Sequence, residues 1–330
     1  MRKVERHVIP KHGLIIRCLP LSASLKRRRH LGSRYPIRVR LLVALVLCTT
    51  LAAAPRQVAI TIDDLPRSGD GGPLSLPALR DLTAKLLKPL REQRVPVIGF
   101  VNAGRARQIG APGLREILDL WLDSGADLGN HTYSHLNINQ VPFSQYTADI
   151  LKGEPILSDA LAAHHKKLEF FRHPFLFTGA TPETKRALQE FLDGHGYRVA
   201  PVTLDNNDYQ FASLYNRPAY HERVALEYVP YMESIVEFFE RRSVEVVGRE
   251  ISQILLIHAS QLNADLMPSL LEMFRRRGYR FVSLAQALSD DAYRLPDQVP
   301  ARNGISWLHR WAATKGMPPR MEPPSPSWIQ

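Results

Sequence analysis

Side chains that could bind a metal ion or transfer protons stand at five places along the chain. They are the adjacent Asp63 and Asp64, the pair His131 and His135, and the single residues Arg172, Asp205 and His258. The only two cysteines, Cys18 and Cys48, both precede this region. A thiol nucleophile, a disulfide framework and a cysteine-bound zinc are therefore excluded for residues 55–330. Catalysis there must use carboxylates, imidazoles, hydroxyls or a bound metal ion.

The histidine pair and the aspartate pair together indicate a metal site. His131 and His135 are four residues apart, so one helical turn sets both imidazoles on one face. Asp63 and Asp64 repel each other in a cleft unless a cation lies between them. Two imidazoles and one carboxylate suit zinc or another first-row divalent ion. Taken alone, the histidine spacing can be incidental, and the aspartates can form a solvated turn or a helix cap.

Seven short β-rich runs alternate with longer amphipathic stretches. The runs cover residues 58–62, 96–101, 126–130, 168–172, 197–204, 253–258 and 280–284, and the stretches include residues 79–94, 113–124, 143–165, 182–195 and 264–277. Strands that alternate with crossover helices form a parallel sheet with buried strands. We therefore predict an α/β fold, a distorted (β/α)7 barrel related to the TIM barrel. An open doubly wound sheet is the alternative, but Asp63 and Asp64 stand where a dinucleotide site needs a glycine-rich phosphate loop.

The barrel explains how distant residues come together. In a parallel barrel, the residues just past the C-terminus of every strand converge on one mouth, where active sites form. Five of the seven predicted strands end in, or run into, the titratable residues named above. The sequence therefore predicts a single polar site at that mouth.

The excess of positive charge lies entirely in the N-terminal part of the chain. The formal net charge is +11, and residues 1–54 hold 12 basic residues and one acid, Glu5. The remaining residues carry 31 charges of each sign. Because phosphate binding needs an excess of Lys and Arg on the folded surface, no nucleic-acid partner is expected.

Residues 1–54 are predicted to be a basic leader. Arg38 and Arg40 precede an apolar run that ends in three alanines at 52–54. This order is typical of a secretory signal, and the run is shorter than the roughly 20 residues that span a bilayer. We therefore expect export to the periplasm or the medium. The alternative is an uncleaved leader that anchors the protein in the inner membrane, its one expected membrane contact.

The C-terminal part differs in composition from the rest. Residues 296–330 contain seven prolines and three of the four tryptophans. Trp307 and Trp311 are four residues apart and would share one face of a short helix. We predict a barrel over residues 55–292 and a tail over 293–330 that packs on it. Stacking of these aromatics on sugar rings is the alternative.

Five motifs resemble those of the polysaccharide deacetylases, the NodB-homology family also called carbohydrate esterase family four. TIDDLP from Thr61 resembles the family's TFDDGP, HTYSH from His131 its H-[ST]-x-x-H, RHPF from Arg172 its R-x-P, DNNDY from Asp205 its D-x-x-D-W, and LLIH from Leu255 its Leu…His. The resemblance covers about residues 56–290. Leu65 replaces the family's Gly and Tyr209 its Trp, which affects the identity of the substrate more than the chemistry.

The resemblance implies a metal centre and its base. Asp64, His131 and His135 bind one divalent ion, zinc, with cobalt, nickel or manganese as alternatives. Asp63 accepts the proton of the attacking water, and Arg172 holds Asp63 by a charge-assisted contact.

The resemblance also implies the remaining roles. His258 protonates the leaving amine, and Asp205 orients it. The backbone N–H near Phe175 helps to stabilise the oxyanion, Leu256 lines a pocket for the acetyl methyl group, and Tyr209 lies near the substrate.

The implied function is the removal of N-acetyl, or O-acetyl, groups from an amino-sugar polysaccharide or oligosaccharide, so an acetylated glycan is the expected partner. Two alternatives remain open. One is a carbohydrate-binding protein that has kept the barrel but lost catalysis. The other is a hydrolase of non-sugar amides or esters, since the fold does not determine the function.

Overall fold

A computed structural model describes residues 56–300 and 304–329. The leader predicted over residues 1–54 lies outside the described residues. The seven strands are β1 (Arg56–Leu65), β2 (Val97–Val101), β3 (Asp127–Asn130), β4 (Phe170–Phe171), β5 (Arg198–Val199), β6 (Gln253–His258) and β7 (Tyr279–Phe281). The helices are α1 (Leu76–Glu92), α2 (Gly110–Asp123), α3 (Phe143–Ala163), α4 (Pro182–Gly194), α5 (Asp208–Tyr215), α6 (His221–Val247), α7 (Gln261–Arg276), α8 (Leu284–Ala287) and α9 (Trp307–Thr314).

The strands form one parallel sheet that curves into a barrel. Their order is β5, β4, β3, β2, β1, β6, and β7 also pairs with β1. A parallel bridge between Leu204 and Leu255 joins the chain beyond β5 to β6, so the two ends of the sheet meet. The predicted distorted (β/α)7 barrel is confirmed. Strands β4 and β5 have only two residues each, shorter than the predicted runs, because the chain soon leaves the sheet to form site loops.

The central strands are buried because helices cover the sheet. All five residues of β2 and the last eight of β1 are buried, as expected for parallel strands covered on both faces. Helix α1 begins after Ser75 with a proline in its first turn, where a missing N–H costs nothing. Its apolar face packs against α2 and α7.

Two helices follow β5 that the sequence patterns above do not include. Helix α5 begins at Asp208, and the 27-residue α6 leads back towards β6. The buried face of α6 includes Tyr228, Met232 and Phe239. Within residues 56–300 and 304–329, no helix is both long enough and apolar enough to cross a membrane.

The C-terminal segment packs closely on the barrel. In α9, Trp307 and Trp311 are 7% and 1% exposed and belong to the main core. Their burial leaves little ring surface for a sugar. The backbone N–H of Trp307 donates to the Val202 carbonyl at 2.7 Å, which ties α9 to the chain beyond β5. The exact boundary between barrel and tail stays a prediction.

Candidate active site

Strand β1 ends in an irregularity that directs two neighbouring carboxylates into one cavity. The register between β1 and β2 shifts between Ile62 and Leu65, and Asp64 has a left-handed backbone with φ of 68°. Side chains alternate between faces in a regular strand, so adjacent aspartates normally point apart. Here Asp63 and Asp64 line the same cavity and are 2% and 6% exposed. Such a backbone conformation costs about 1–3 kcal/mol and persists only where the surroundings enforce it.

The loop from His131 to His135 is irregular and contains no helix. The expected helical turn was therefore wrong, because side chains stabilise a different backbone. Thr132 and His135 have φ of 62° and 55°. The N–H of Thr132 donates to Asn130 Oδ1 at 2.8 Å, and the N–H of His135 donates to Thr132 Oγ1 at 2.9 Å. The two imidazoles still meet, with ring centroids 4.9 Å apart.

Hydrogen bonding holds His131 in the tautomer that a metal ligand needs. Its Nδ1 lies 2.8 Å from the Arg172 carbonyl oxygen, which can only accept, so Nδ1 carries the hydrogen. Its Nε2 faces the aspartates, 3.7 Å from Asp63 Oδ2 and 3.8 Å from Asp64 Oδ1. Burial, and then the nearby His135, lowers the pKa of His131 well below its ordinary value. His131 is therefore a neutral imidazole with a free lone pair at neutral pH.

Asp64, His131 and His135 fit a divalent metal ion. One ligand atom of each lies within 4.8 Å of the other two, and His135 Nε2 is 3.6 Å from Asp64 Oδ1. Burial also lowers the pKa of His135, although Asp64 opposes this effect. Asp64 Oδ1 is buried without a hydrogen-bond partner, an arrangement that costs free energy. A cation shared with the two imidazoles removes that cost.

Asp63 lies beside this set and in front of Arg172. Arg172 Nε is 3.9 Å from Asp63 Oδ2, which is an ion pair and not a hydrogen bond. The Nη2 of Arg172 instead donates to Thr61 Oγ1 at 2.7 Å, and its guanidinium lies over the Phe100 ring. Burial raises the pKa of Asp63 to about 6, although Arg172 opposes this. A carboxylate with such a pKa is suited to accept a proton near neutral pH.

Asp208, and not Asp205, orients His258. The Nδ1 of His258 lies 2.7 Å from Asp208 Oδ1, and its backbone N–H donates to Asp208 Oδ2 at 2.8 Å. Asp205 instead accepts the backbone N–H of Asn206 at 2.9 Å. The predicted role of Asp205 was therefore wrong. The physical reason is a turn in which Asn206 Oδ1 accepts the N–H of Asp208, so that α5 starts with Asp208 next to His258.

The ion pair with Asp208 controls the charge of His258. Burial acts against the imidazolium, but Asp208, together with Asp64 and Asp63, outweighs it and raises the pKa of His258 to about 10. The same pair holds the pKa of Asp208 below its usual value despite burial. His258 is therefore protonated at neutral pH and able to donate a proton. Burial, with a contribution from Glu322, raises the pKa of Asp205 to about 7.

One cavity of about 730 Å³ contains nearly all the predicted site residues. Nine of the ten line it: Asp63, Asp64, His131, His135, Phe175, Asp205, Tyr209, Leu256 and His258. Arg172 does not line the cavity and is fully buried behind Asp63. The three apolar residues of the set surround the polar centre. The ring of Phe175 lies 4.4 Å from that of His135, Tyr209 is 54% exposed near His258, and Leu256 is 7% exposed.

Sequence comparison agrees with this geometry. Residues 51–197 match the sequence profile of the family described as Polysaccharide deacetylase. This region, which is less than half of the chain, is thus similar to the polysaccharide deacetylases. It includes the carboxylates at the end of β1, the histidine loop and Arg172. The chain is also 30% identical over 119 residues to the peptidoglycan-N-acetylglucosamine deacetylase of Bacillus cereus. That match spans 36% of this chain and 36% of its curated relative, about a third of each.

Solved structures of similar proteins include a chitin deacetylase and a pseudoenzyme. The chitin deacetylase of Colletotrichum lindemuthianum is 24% identical, with a TM-score of 0.49 over 72% of this chain and 89% of that one. A CE4 family pseudoenzyme of Bacillus anthracis is 14% identical, with a TM-score of 0.47 over 71% of this chain and 66% of that one.

The sequence patterns missed two polar contacts of the site. The first is the pairing of Asp208 with His258, since the spacing within a four-residue motif does not show which aspartate faces His258. The second is Arg105, whose Nη2 donates to Asp64 Oδ2 at 2.9 Å. Arg105 lies four residues past the end of β2, so its position near a strand end was a signal that could have found it.

Proposed function

We propose that this protein is a metal-dependent hydrolase that removes acetyl groups from an amino-sugar glycan, with the N-acetyl group as its substrate. The observation that carries the proposal is the arrangement of one buried carboxylate and two neutral imidazoles beside a second carboxylate and an imidazolium. Bound at Asp64, His131 and His135, a divalent ion would polarise the acyl carbonyl and acidify water. Zinc suits this set of ligands, and cobalt, nickel and manganese are further candidates.

The other residues divide the proton transfers between them. Asp63 takes a proton from the attacking water, and Arg172 stabilises its ionised form from 3.9 Å. His258, charged through its pair with Asp208, gives a proton to the departing amine nitrogen. Each turnover leaves Asp63 protonated and His258 neutral, and the site returns to its starting state when Asp63 releases its proton and His258 takes one up. Leu256 lines the cavity where the acetyl methyl group fits.

The test is metal content measured together with acetate release. Purified full-length protein, loaded with zinc or cobalt, is expected to bind about one ion per chain and to release acetate from chitooligosaccharide or peptidoglycan fragments. The panel includes an O-acetylated glycan and a simple acetyl ester, which separate the alternatives. Zinc-loaded protein that releases acetate from none of these substrates contradicts the proposal.

We also propose that the protein acts outside the cytoplasm. The basic and apolar pattern of residues 1–54 supports this location, because it resembles a secretory signal. Mass spectrometry of the mature N-terminus checks it. An intact peptide over residues 40–60 contradicts cleavage and favours the anchored alternative.

Because Asp208, and not Asp205, pairs with His258, we expect substitutions at the two positions to differ in their effect on activity. Asp208→Asn is expected to lower kcat by about 100-fold, because the imidazolium loses the carboxylate that stabilises it. Burial then lowers the pKa of His258, so the loss of activity at high pH begins at a lower pH than in the wild type. Asp205→Asn, the matched change three residues away, is expected to cost less than about tenfold. Profiles of kcat against pH measure both effects, and a larger loss in Asp205→Asn contradicts the assignment.

A further inference from the structure

A guanidinium group contacts the carboxylate of the metal site. The Nη2 of Arg105 lies 2.9 Å from Asp64 Oδ2, and the side chains of these residues are 31% and 9% exposed. The other oxygen, Asp64 Oδ1, faces the two imidazoles. Asp64 therefore offers a single oxygen to an ion, while its second oxygen is held by a fixed positive charge.

The backbone that carries Arg105 is bound to both sides of the site. Asn102 is fully buried; its N–H donates to the Leu65 carbonyl at 3.0 Å, and its side chain donates to the Thr132 carbonyl at 3.2 Å. The N–H of Gly104 donates to the Tyr133 carbonyl at 2.8 Å. These bonds fix the segment between the end of β1 and the histidine loop. Arg105 is thus held in place by the same loops that carry the ligands.

The charge of Arg105 opposes the binding of a cation. The imidazoles of His131 and His135 are neutral, so Asp64 provides the only negative charge among the three ligands, and Arg105 balances it. The interaction between a dication and a neighbouring unit charge is strong in a partly buried site. The repulsion between Arg105 and the ion costs more binding free energy than the hydrogen bond to Asp64 Oδ2 gains by orienting that carboxylate.

We propose that Arg105 is a positioning residue that lowers the affinity of this site for its metal ion, because its charge neutralises the carboxylate of Asp64. The inference rests on the proposed metal site and goes beyond it. Arg105 keeps Asp64 a one-oxygen ligand, which leaves room at the ion for water and substrate. The resulting affinity is lower than the same three ligands provide alone.

Three substitutions separate the charge of Arg105 from its hydrogen bond. Arg105→Gln keeps a neutral N–H donor, Arg105→Lys keeps the charge, and Arg105→Ala removes both. Arg107→Gln, an exposed position on the same segment, is the control for net charge. Zinc affinity is measured on the metal-free full-length proteins by competition with a chromogenic chelator. Circular dichroism verifies that each variant is folded.

The expected result is an increase in zinc affinity of at least about tenfold for Arg105→Gln and Arg105→Ala. Arg105→Lys and Arg107→Gln stay within about threefold of the wild type. Equal or weaker binding by Arg105→Gln overturns the inference and leaves Arg105 as a simple tether. If the wild type binds no zinc, the proposed function fails as well. If it binds zinc and releases acetate but Arg105→Gln gains no affinity, only the role of Arg105 fails.

Discussion

His131→Ala combined with His135→Ala is expected to remove the bound metal ion and to reduce acetate release to background. The two Nε2 atoms lie 3.8 and 3.6 Å from Asp64 Oδ1, so the double change leaves one carboxylate oxygen as the only ligand. Asp64 Oδ2 is already bound to Arg105 and offers no compensation. Elemental analysis after gel filtration and acetate release from chitooligosaccharide measure the two losses.

The matched control removes two imidazoles from exposed positions. His165→Ala with His195→Ala, both on the surface, is expected to keep metal and activity. Addition of zinc to chelator-treated wild type is expected to restore acetate release, and addition to the double variant is not. Undiminished release by the His131 and His135 double variant rejects a metal-dependent reaction.

Asp63→Asn is expected to lower kcat by about 1,000-fold while the metal ion stays bound. The amide has nearly the shape of the carboxylate but does not accept a proton from water. Asp63 is 2% exposed, and water has no easy route to replace it as the base. Asp64 and both histidines are unchanged, so metal content separates this variant from the loss of a ligand.

The pH dependence gives a second measure of Asp63. The base must be ionised to act, so wild-type activity falls as the pH drops through the pKa of Asp63, which burial raises to about 6. A bound dication favours the ionised form and moves this fall to lower pH. The fall is expected to vanish from the residual activity of Asp63→Asn. Asp70→Asn, which removes another buried carboxylate lining the cavity, one paired with Arg67, is the control. A similar loss of kcat in both variants contradicts the role of Asp63.

The residues that meet at the site could be predicted because the buried strands of a parallel sheet have a recognisable sequence pattern. Buried strands appear as short apolar runs, and polar residues that directly follow such runs stand out. Asp63 with Asp64, His131, Arg172 and His258 all follow this rule, and all but Arg172 line one cavity. The spacing of His131 and His135 correctly predicted that their rings meet. The expected helical turn was wrong, since the rings meet in a loop with two left-handed residues.

The sequence patterns are insufficient where the direction of a side chain decides which residue takes part in the chemistry. Asp205 and Asp208 are equally plausible in a linear motif, but only the turn made by Asn206 brings Asp208 to His258. The position of Arg105 near the end of a strand places it at the mouth of the barrel, but its contact with Asp64 depends on how β1 and β2 lie side by side.

The sequence by itself determined the alternation of strands and helices, the neutral body of the chain and the set of polar residues at the strand ends. These properties follow from hydrophobic periodicity and composition, which act over a few neighbouring residues. Only the tertiary structure decided which carboxylate pairs with His258, how a loop brings two imidazoles together and which cation holds Asp64. Those contacts join residues from different strands, and their directions depend on backbone angles and packing that no local pattern encodes.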